Sequence, residues 1–311
     1  MTSSHTLAWI AAACLATGAQ ADPTIHADLA YSDMSSRNVL DIYLPEDRRN
    51  PPLVLYVHGG GWLHNTRQDV RSQRVGLDRL LDAGFAVASM EYRLAPSPDY
   101  PETDPTARAT WPAQLEDVGA ALDFLRGGGA EHGYDAGRIA IFGESAGGQI
   151  VLASGLTFAA SPDRAVDAVV AWYPATDLAR IDADRAEMGL PAANLGPLAP
   201  ESLLVGADVR TAPAAAAAAS PVHMLGEVQD DTDLPPILLM HGDEDEILPY
   251  TQSVRFAEAA QEMGRGVDLI LVSGGTHAGG AFDTDPAVLD AVIAFLGDAF
   301  DAATRAPDAR P

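Results

Sequence analysis

The stretch AIFGESAGGQ, residues 140–149, places one serine between glycines at the end of an apolar run. Its centre, Gly143-Glu144-Ser145-Ala146-Gly147, has the spacing G-x-S-x-G. The apolar run 138–142 before it predicts a strand, and residues 149–156 after it are compatible with a helix. A sharp strand-to-helix turn crowds the atoms around the serine, so small residues are needed two positions to either side. Such a turn holds the Ser145 hydroxyl clear of a sheet, where a base and a substrate can reach it.

Working outward, VLDIYLP (39–45) alternates and ends in proline, the pattern of an edge or hairpin strand. PLVLYVHGG (52–60) is a continuous apolar run stopped by glycines, the mark of a buried strand, and AGFAVASMEYRL (83–94) is another. PAQLEDVGAALDFLR (112–126) has apolar residues at helical spacing behind a proline. RIAIFGE, AVVAWYP, PPILLMHGD and VDLILVSGG each read as a strand ending in loop residues, and helical segments separate most of them. This alternation predicts an α/β fold of one domain, with a mostly parallel central sheet and helices on both faces. Function in such sheets gathers at the carboxyl ends of the strands. His58-Gly59-Gly60, Ser145 and His241-Gly242-Asp243 all fall there.

Two stretches break the rhythm. Residues 97–111 are rich in Pro, Asp and Thr and read as a long surface loop. Residues 180–227 carry helical fragments and an alanine run, and are expected to fold over the strand ends as a cap-like insertion. Residues 302–311 read as a flexible tail.

The chain has 311 residues, 47% of them hydrophobic, enough for one sizeable core. TLAWIAAACLATGA (6–19) is apolar but too short to span a bilayer, and Ala19-Gln20-Ala21 has the form of a cleavage site. Residues 1–21 therefore read as a signal peptide of a periplasmic or secreted protein whose α/β domain runs over 22–311. The segment before the apolar run has no Lys or Arg, only His5 and the amino terminus, and the competing reading is an uncleaved apolar helix or a misplaced start. The sole cysteine, Cys14, lies inside it, so the processed chain would hold no disulfide.

The net charge is −25, and all 19 basic residues are arginines. So acidic a balance argues against nucleic acid or an anionic membrane as partner, since both need basic patches. It fits either a protein working in high salt, where carboxylate repulsion is screened, or a genome that favours Arg and Ala codons.

An activated serine needs a base, an orienter for that base, and donors for an oxyanion. Three histidines follow Ser145: His223, His241 and His277. His223 lies in the cap-like region, and His241 sits at a strand end where an imidazole braces a loop. His277, in SGGTHAGG, follows the last predicted strand between small residues and is the candidate base. HGDEDEILPY offers Asp243, Glu244, Asp245 and Glu246 as orienters, and chain order admits all four. HGGGW (58–62) supplies consecutive glycines whose N–H groups can converge on an anion. Gly60 and Gly61 are the candidate donors with the Ala146 N–H as a third, and His58 reads as structural. No cluster with metal-ligand spacing is present, so no metal or cofactor is implied.

HGGGW, EYRLAP, WPAQLEDVGAALDFLR, GRIAIFGESAGG, AWYPATDL and HGDEDEILPYTQS follow one another as in the hormone-sensitive-lipase-like carboxylesterases. The chain resembles still more closely the bifunctional feruloyl/acetyl-xylan esterase-like group of α/β-hydrolases, over residues 36–300. The family pattern H-G-x-x-D-x-x-V/L-P falls on residues 241–249, and so the resemblance selects Asp245 as the acid. Its G-x-x-H motif falls on residues 274–277 and its oxyanion motif on HGGGW. Two departures bear on specificity: the loop 97–111 interrupts a segment that usually runs straight into its helix, and AGGAF follows His277 in place of a bulky residue.

The resemblance implies a serine carboxylesterase that cleaves short-chain or aromatic esters, of acetyl or feruloyl type, through an acyl-enzyme. Its substrate would be a small-molecule or polysaccharide-linked ester. The same machinery also serves amidases, arylformamidases and serine peptidases, which anilide turnover separates from esterases. A non-catalytic binding protein of the same fold is the third class, and failure to label with a fluorophosphonate is its mark. Acyl and alcohol preference and oligomeric state are open from sequence.

Overall fold

The computed structural model describes residues 23–46, 48–193 and 196–305, so the segment read as a signal peptide lies outside the described residues. β1 (Thr24–Ala30) and β2 (Val39–Leu44) form an antiparallel hairpin, and β3 (Pro52–Val57) follows. α1 (Leu77–Asp82) leads to β4 (Ala86–Met90), α2 (Ala113–His132) to β5 (Asp135–Glu144), and α3 (Ala146–Phe158) to β6 (Val169–Trp172). Short helices α4 (Ile181–Glu187), α5 (Pro200–Val205), α6 (Pro213–Ala218) and α7 (Pro221–Leu225) precede β7 (Ile237–Gly242). α8 (Thr251–Glu262) leads to β8 (Asp268–Val272). A tight hairpin of β9 (Gly275–Thr276) and β10 (Gly279–Gly280) then gives way to α9 (Ala281–Thr284) and α10 (Pro286–Arg305).

The sheet runs β1-β2-β4-β3-β5-β6-β7-β8. β1–β2 and β2–β4 are antiparallel and every other pairing is parallel, which is the class expected from the alternation of elements. β3 shows why its sequence is apolar without interruption. Leu53, Leu55 and Val57 pack into one core with Val118 and Leu122 of α2 and Ile150 of α3. Val54 and Tyr56 point the other way, into a second core with Leu80 of α1 and Val292 and Leu296 of α10. Each such fully buried aliphatic side chain contributes about 2 kcal/mol, so the strand is held from both faces. That rigid centre carries the loops at the carboxyl ends of β3, β5 and β7.

β2 is a hairpin strand, as its pattern allowed, with β1 lying outside it. Two details differ from the sequence expectation. β1 is mostly exposed, so it has no apolar run to betray it; pairing with β2 makes it a strand. The segment read as a tail from residue 302 begins as the last turn of α10, which runs to Arg305. Ala299 and Phe300 are buried just before, and the Thr304 hydroxyl donates to the Phe300 carbonyl at 2.9 Å, so the packed helix extends beyond its apolar stripe. Among the described residues, no helix is long and apolar enough to cross a membrane.

Candidate active site

Ser145 stands at the turn from β5 into α3 with φ 53° and ψ −118°, a conformation L-residues adopt only under constraint. The glycines around it are required by close approach. A Cβ on Gly143 would lie 2.3 Å from the Gly147 carbonyl oxygen, and one on Gly147 would lie 2.1 Å from that of Val57. The Ser145 N–H donates to the Trp172 carbonyl at 2.9 Å, which pins the turn to β6.

His277 occupies the bend between β9 and β10. Its Nε2 lies 3.0 Å from Ser145 Oγ, and its Nδ1 lies 2.7 Å from Asp245 Oδ2. A carboxylate only accepts, so Nδ1 carries the proton and Nε2 is left to accept from the serine hydroxyl. Among the four acidic residues of the loop after β7, Asp245 alone is buried, 1% exposed, while Asp243, Glu244 and Glu246 are exposed. Its Oδ1 accepts from the N–H groups of Ile247 at 2.8 Å and Leu248 at 2.9 Å, which turns the carboxylate inward. Burial pushes its pKa up, but hydrogen bonds from His241 and His277 prevail and hold the carboxyl well below the ordinary range.

The other histidines take different work. His241 is fully buried, with Nε2 2.8 Å from the Leu248 carbonyl and Nδ1 2.8 Å from Ser253 Oγ. Nε2 is thus the donor and Nδ1 the acceptor, and the ring braces the loop that carries Asp245. His223 in α7 faces Asp177 at 3.8 Å. His58 is buried and stacks on Tyr92 at 4.4 Å, with Nδ1 2.8 Å from the Gly59 carbonyl. Burial drives its pKa down to about 3, so it is a neutral structural group.

Gly60 and Gly61 both have positive φ, 98° and 59°, and the Gly60 carbonyl closes the turn by accepting from Leu63 and His64. The N–H groups of Gly60, Gly61 and Ala146 donate to no protein acceptor among the described residues. Trp62 Nε1 donates to Gln149 Oε1 at 2.9 Å, and Gln149 Nε2 donates to the Ala219 carbonyl at 2.8 Å. The HGGGW loop, α3 and the segment between β6 and β7 are thereby tied together.

That segment reaches the site from two sides. Pro200 of α5 lies against Gly61, within 3.6 Å of where a Cβ would stand. Arg185 of α4 donates to the carbonyls of Glu246, Ile247 and Pro191, gripping the loop that holds Asp245. Met188 and Leu190 join Ile247, Thr276, His277 and the acidic side chains of that loop around a cleft of about 560 Å³. The loop 97–111 is fastened beside HGGGW by Arg108, which donates to Leu63, Ala95 and Tyr100 carbonyls at 2.8, 2.9 and 2.6 Å. Among the described residues, no group of three or more His, Cys, Asp or Glu is placed to hold a metal ion.

One cluster escaped the reading of the sequence. Glu144, the residue before Ser145, is 2% exposed and accepts from Tyr56 at 2.9 Å, Tyr173 at 2.5 Å and Arg74 at 2.7 Å. The Tyr173 ring lies 4.9 Å from that of His277. A carboxylate at the end of an apolar strand is itself the signal of a buried charge that needs a cation. Nothing in the spacing points to an arginine 70 residues earlier as the partner.

The BD-FAE family model matches residues 40–260. The esterase LipQ of Mycobacterium tuberculosis (strain ATCC 25618 / H37Rv) is 28% identical over 249 residues, covering 76% of this chain and 53% of LipQ. The chain thus spans about half the length of that relative. Among solved structures, a truncated carbohydrate esterase from gut microbiota superposes with a TM-score of 0.73 at 28% identity, over 89% of this chain and 96% of that one. A bifunctional GH43-CE protein of Bacteroides eggerthii gives 0.72 at 26% identity, over 89% of this chain and 35% of its own.

Proposed function

The chain belongs to the BD-FAE family of α/β-hydrolases, and from that premise we propose that it is a serine carboxylesterase acting through Ser145, His277 and Asp245. The observation that carries the reading is the continuous chain Ser145 Oγ–His277 Nε2 at 3.0 Å and His277 Nδ1–Asp245 Oδ2 at 2.7 Å.

In this reading Ser145 Oγ attacks the ester carbonyl carbon while His277 Nε2 takes its proton. Asp245 keeps the proton of the neutral ring on Nδ1 and stabilises the imidazolium as it forms. The carbonyl oxygen becomes an oxyanion that accepts from Gly60, Gly61 and Ala146, each such donor being worth about 3 kcal/mol. The imidazolium then protonates the leaving alcohol, and an acyl-Ser145 ester remains. Water, deprotonated by the same ring, attacks the acyl carbonyl, and Ser145 leaves with its proton restored.

The substrates we assign are short-chain or aromatic esters of acetyl or feruloyl type, small or polysaccharide-linked. Two likenesses support the carbohydrate side of that assignment: the BD-FAE family and the carbohydrate esterase of similar fold. The leader-like residues 1–21 support export to the periplasm or medium. The test is turnover of p-nitrophenyl esters from acetyl to decanoyl beside methyl ferulate, acetylated xylan and p-nitroanilides. Hydrolysis confined to short acyl chains or ferulate is expected. Anilide turnover without ester turnover would move the assignment to amide substrates.

A further inference from the structure

Arg74 lies before α1, and the mechanism above does not use it. Its guanidinium makes three hydrogen bonds and lies 3.9 Å from Asp283 Oδ1 through Nη1. Nε is 2.7 Å from Glu144 Oε2, Nη2 is 2.9 Å from Glu144 Oε1, and Nη1 is 3.2 Å from the Ala278 carbonyl oxygen. Glu144 immediately precedes Ser145, and Ala278 immediately follows His277. A single planar cation therefore joins the residue before the nucleophile to the residue after the base.

The surroundings make this link stiff. Both Glu144 oxygens are further engaged by the Tyr56 and Tyr173 hydroxyls, and the Tyr173 ring lies beside that of His277. Phe282 packs edge-on against Tyr173 at 4.8 Å, closing the cluster from the far side of the His277 bend. Ala278 has φ 57°, a left-handed conformation that costs a non-glycine residue, and its carbonyl is the one Arg74 holds. Burial pushes the Glu144 carboxyl pKa up, but Arg74 and the two tyrosine hydroxyls bring it below its ordinary value, so the pair is charged at neutral pH. A lysine would keep the charge but could not present three donors in one plane.

We propose that Arg74 is a positioning residue for acyl transfer, setting the distance between Ser145 and His277 by clamping Glu144 to Ala278. The proposal rests on Ser145 and His277 acting as nucleophile and base. It differs from mere charge neutralisation, which would affect stability and leave the chemistry of folded molecules alone.

The test uses the full chain with Arg74→Met and Arg74→Lys. Turnover of p-nitrophenyl acetate is measured per active site titrated with a fluorophosphonate, and the His277 Nδ1 proton is followed by NMR. Misplacing reacting atoms by about 1 Å costs about 100-fold, so Arg74→Met is expected to lose about that factor in kcat with KM little changed. Arg74→Lys should lose less and keep the same split. Unchanged kcat per titrated site in either folded variant, even with a lowered Tm, would overturn the proposal. If Arg74→Met does not fold, Arg74→Lys carries the same criterion. Should the wild-type protein hydrolyse no ester, the esterase reading fails by itself. The Nδ1 resonance then decides for Arg74: displaced or broadened in Arg74→Lys supports the clamp, and unchanged overturns it.

Discussion

His277 Nδ1 and Asp245 Oδ2 are 2.7 Å apart although they belong to different loops, one after β7 and one within the β9–β10 hairpin. That contact leaves the second ring nitrogen free to face Ser145. Asp245→Asn presents an amide and permits the opposite tautomer, with Nε2 protonated and useless as a base. Ester turnover should fall about 10⁴-fold with the fold retained. Measuring kcat/KM beside a circular-dichroism spectrum checks this, and near-normal turnover by the folded variant would remove Asp245 from the mechanism.

The buried neutral His58 predicts a specific acid sensitivity. Its native pKa of about 3 lies below its ordinary 6.5, so between those values the unfolded chain binds a proton that the native chain refuses. Stability from this source is fully present above pH 6.5 and is lost as the pH falls towards 3. Asp245, also depressed, adds a loss that begins below about pH 4. Urea midpoints from pH 7 to 4.5 should fall less steeply in His58→Gln than in the wild type, by about one proton's worth of slope. Equal slopes would mean His58 is protonated in the native protein.

Gly147→Ala should damage both fold and activity. The added Cβ would stand 2.1 Å from the Val57 carbonyl oxygen and 2.6 Å from that of His58, backbone atoms that cannot swing away. Overpacking of this kind costs about 1–3 kcal/mol, and relief by tilting the elbow would carry Ser145 away from His277. Denaturation and turnover measured together check this. A variant as stable and active as the wild type would show that α3 and β3 have slack at their closest approach.

The cleft beside His277 predicts charge selection in the leaving alcohol. Asp243, Glu244 and Glu246 share its lining with Met188, Leu190 and Ile247. Acetate esters of a quaternary-ammonium alcohol should therefore be favoured over those of a carboxylate-bearing alcohol of similar size, by about fivefold at low salt and less in 1 M NaCl. The double variant Glu244→Gln, Glu246→Gln should lose most of that ratio. A ratio indifferent to salt and to both substitutions would place the alcohol elsewhere.

How far the sequence revealed this site depended on how local each constraint is. Ser145 was legible because the elbow's stereochemistry imposes small residues at fixed spacing within one segment. The parallel sheet was legible because most positions of β3 to β7 are buried and apolar, on both faces of the sheet. Asp245 could not be chosen from its neighbours by chemistry alone. What distinguishes it is the turn that buries it, made by the Ile247 and Leu248 N–H groups, and only the family pattern anticipated that. Arg74 and Tyr173 stayed hidden because their partner Glu144 is reached through tertiary packing, and such contacts leave no periodicity behind. β1 escaped for the opposite reason, being too exposed to carry an apolar signature.

The most direct measurement is covalent labelling of the nucleophile. The wild-type protein and Ser145→Ala are treated with a fluorophosphonate, the adduct is located by peptide mass spectrometry, and p-nitrophenyl acetate turnover is followed in parallel. A single adduct on Ser145 is expected, with turnover lost in proportion to labelling and neither label nor turnover in the variant. An adduct on another residue, or hydrolysis retained by Ser145→Ala, would contradict that expectation.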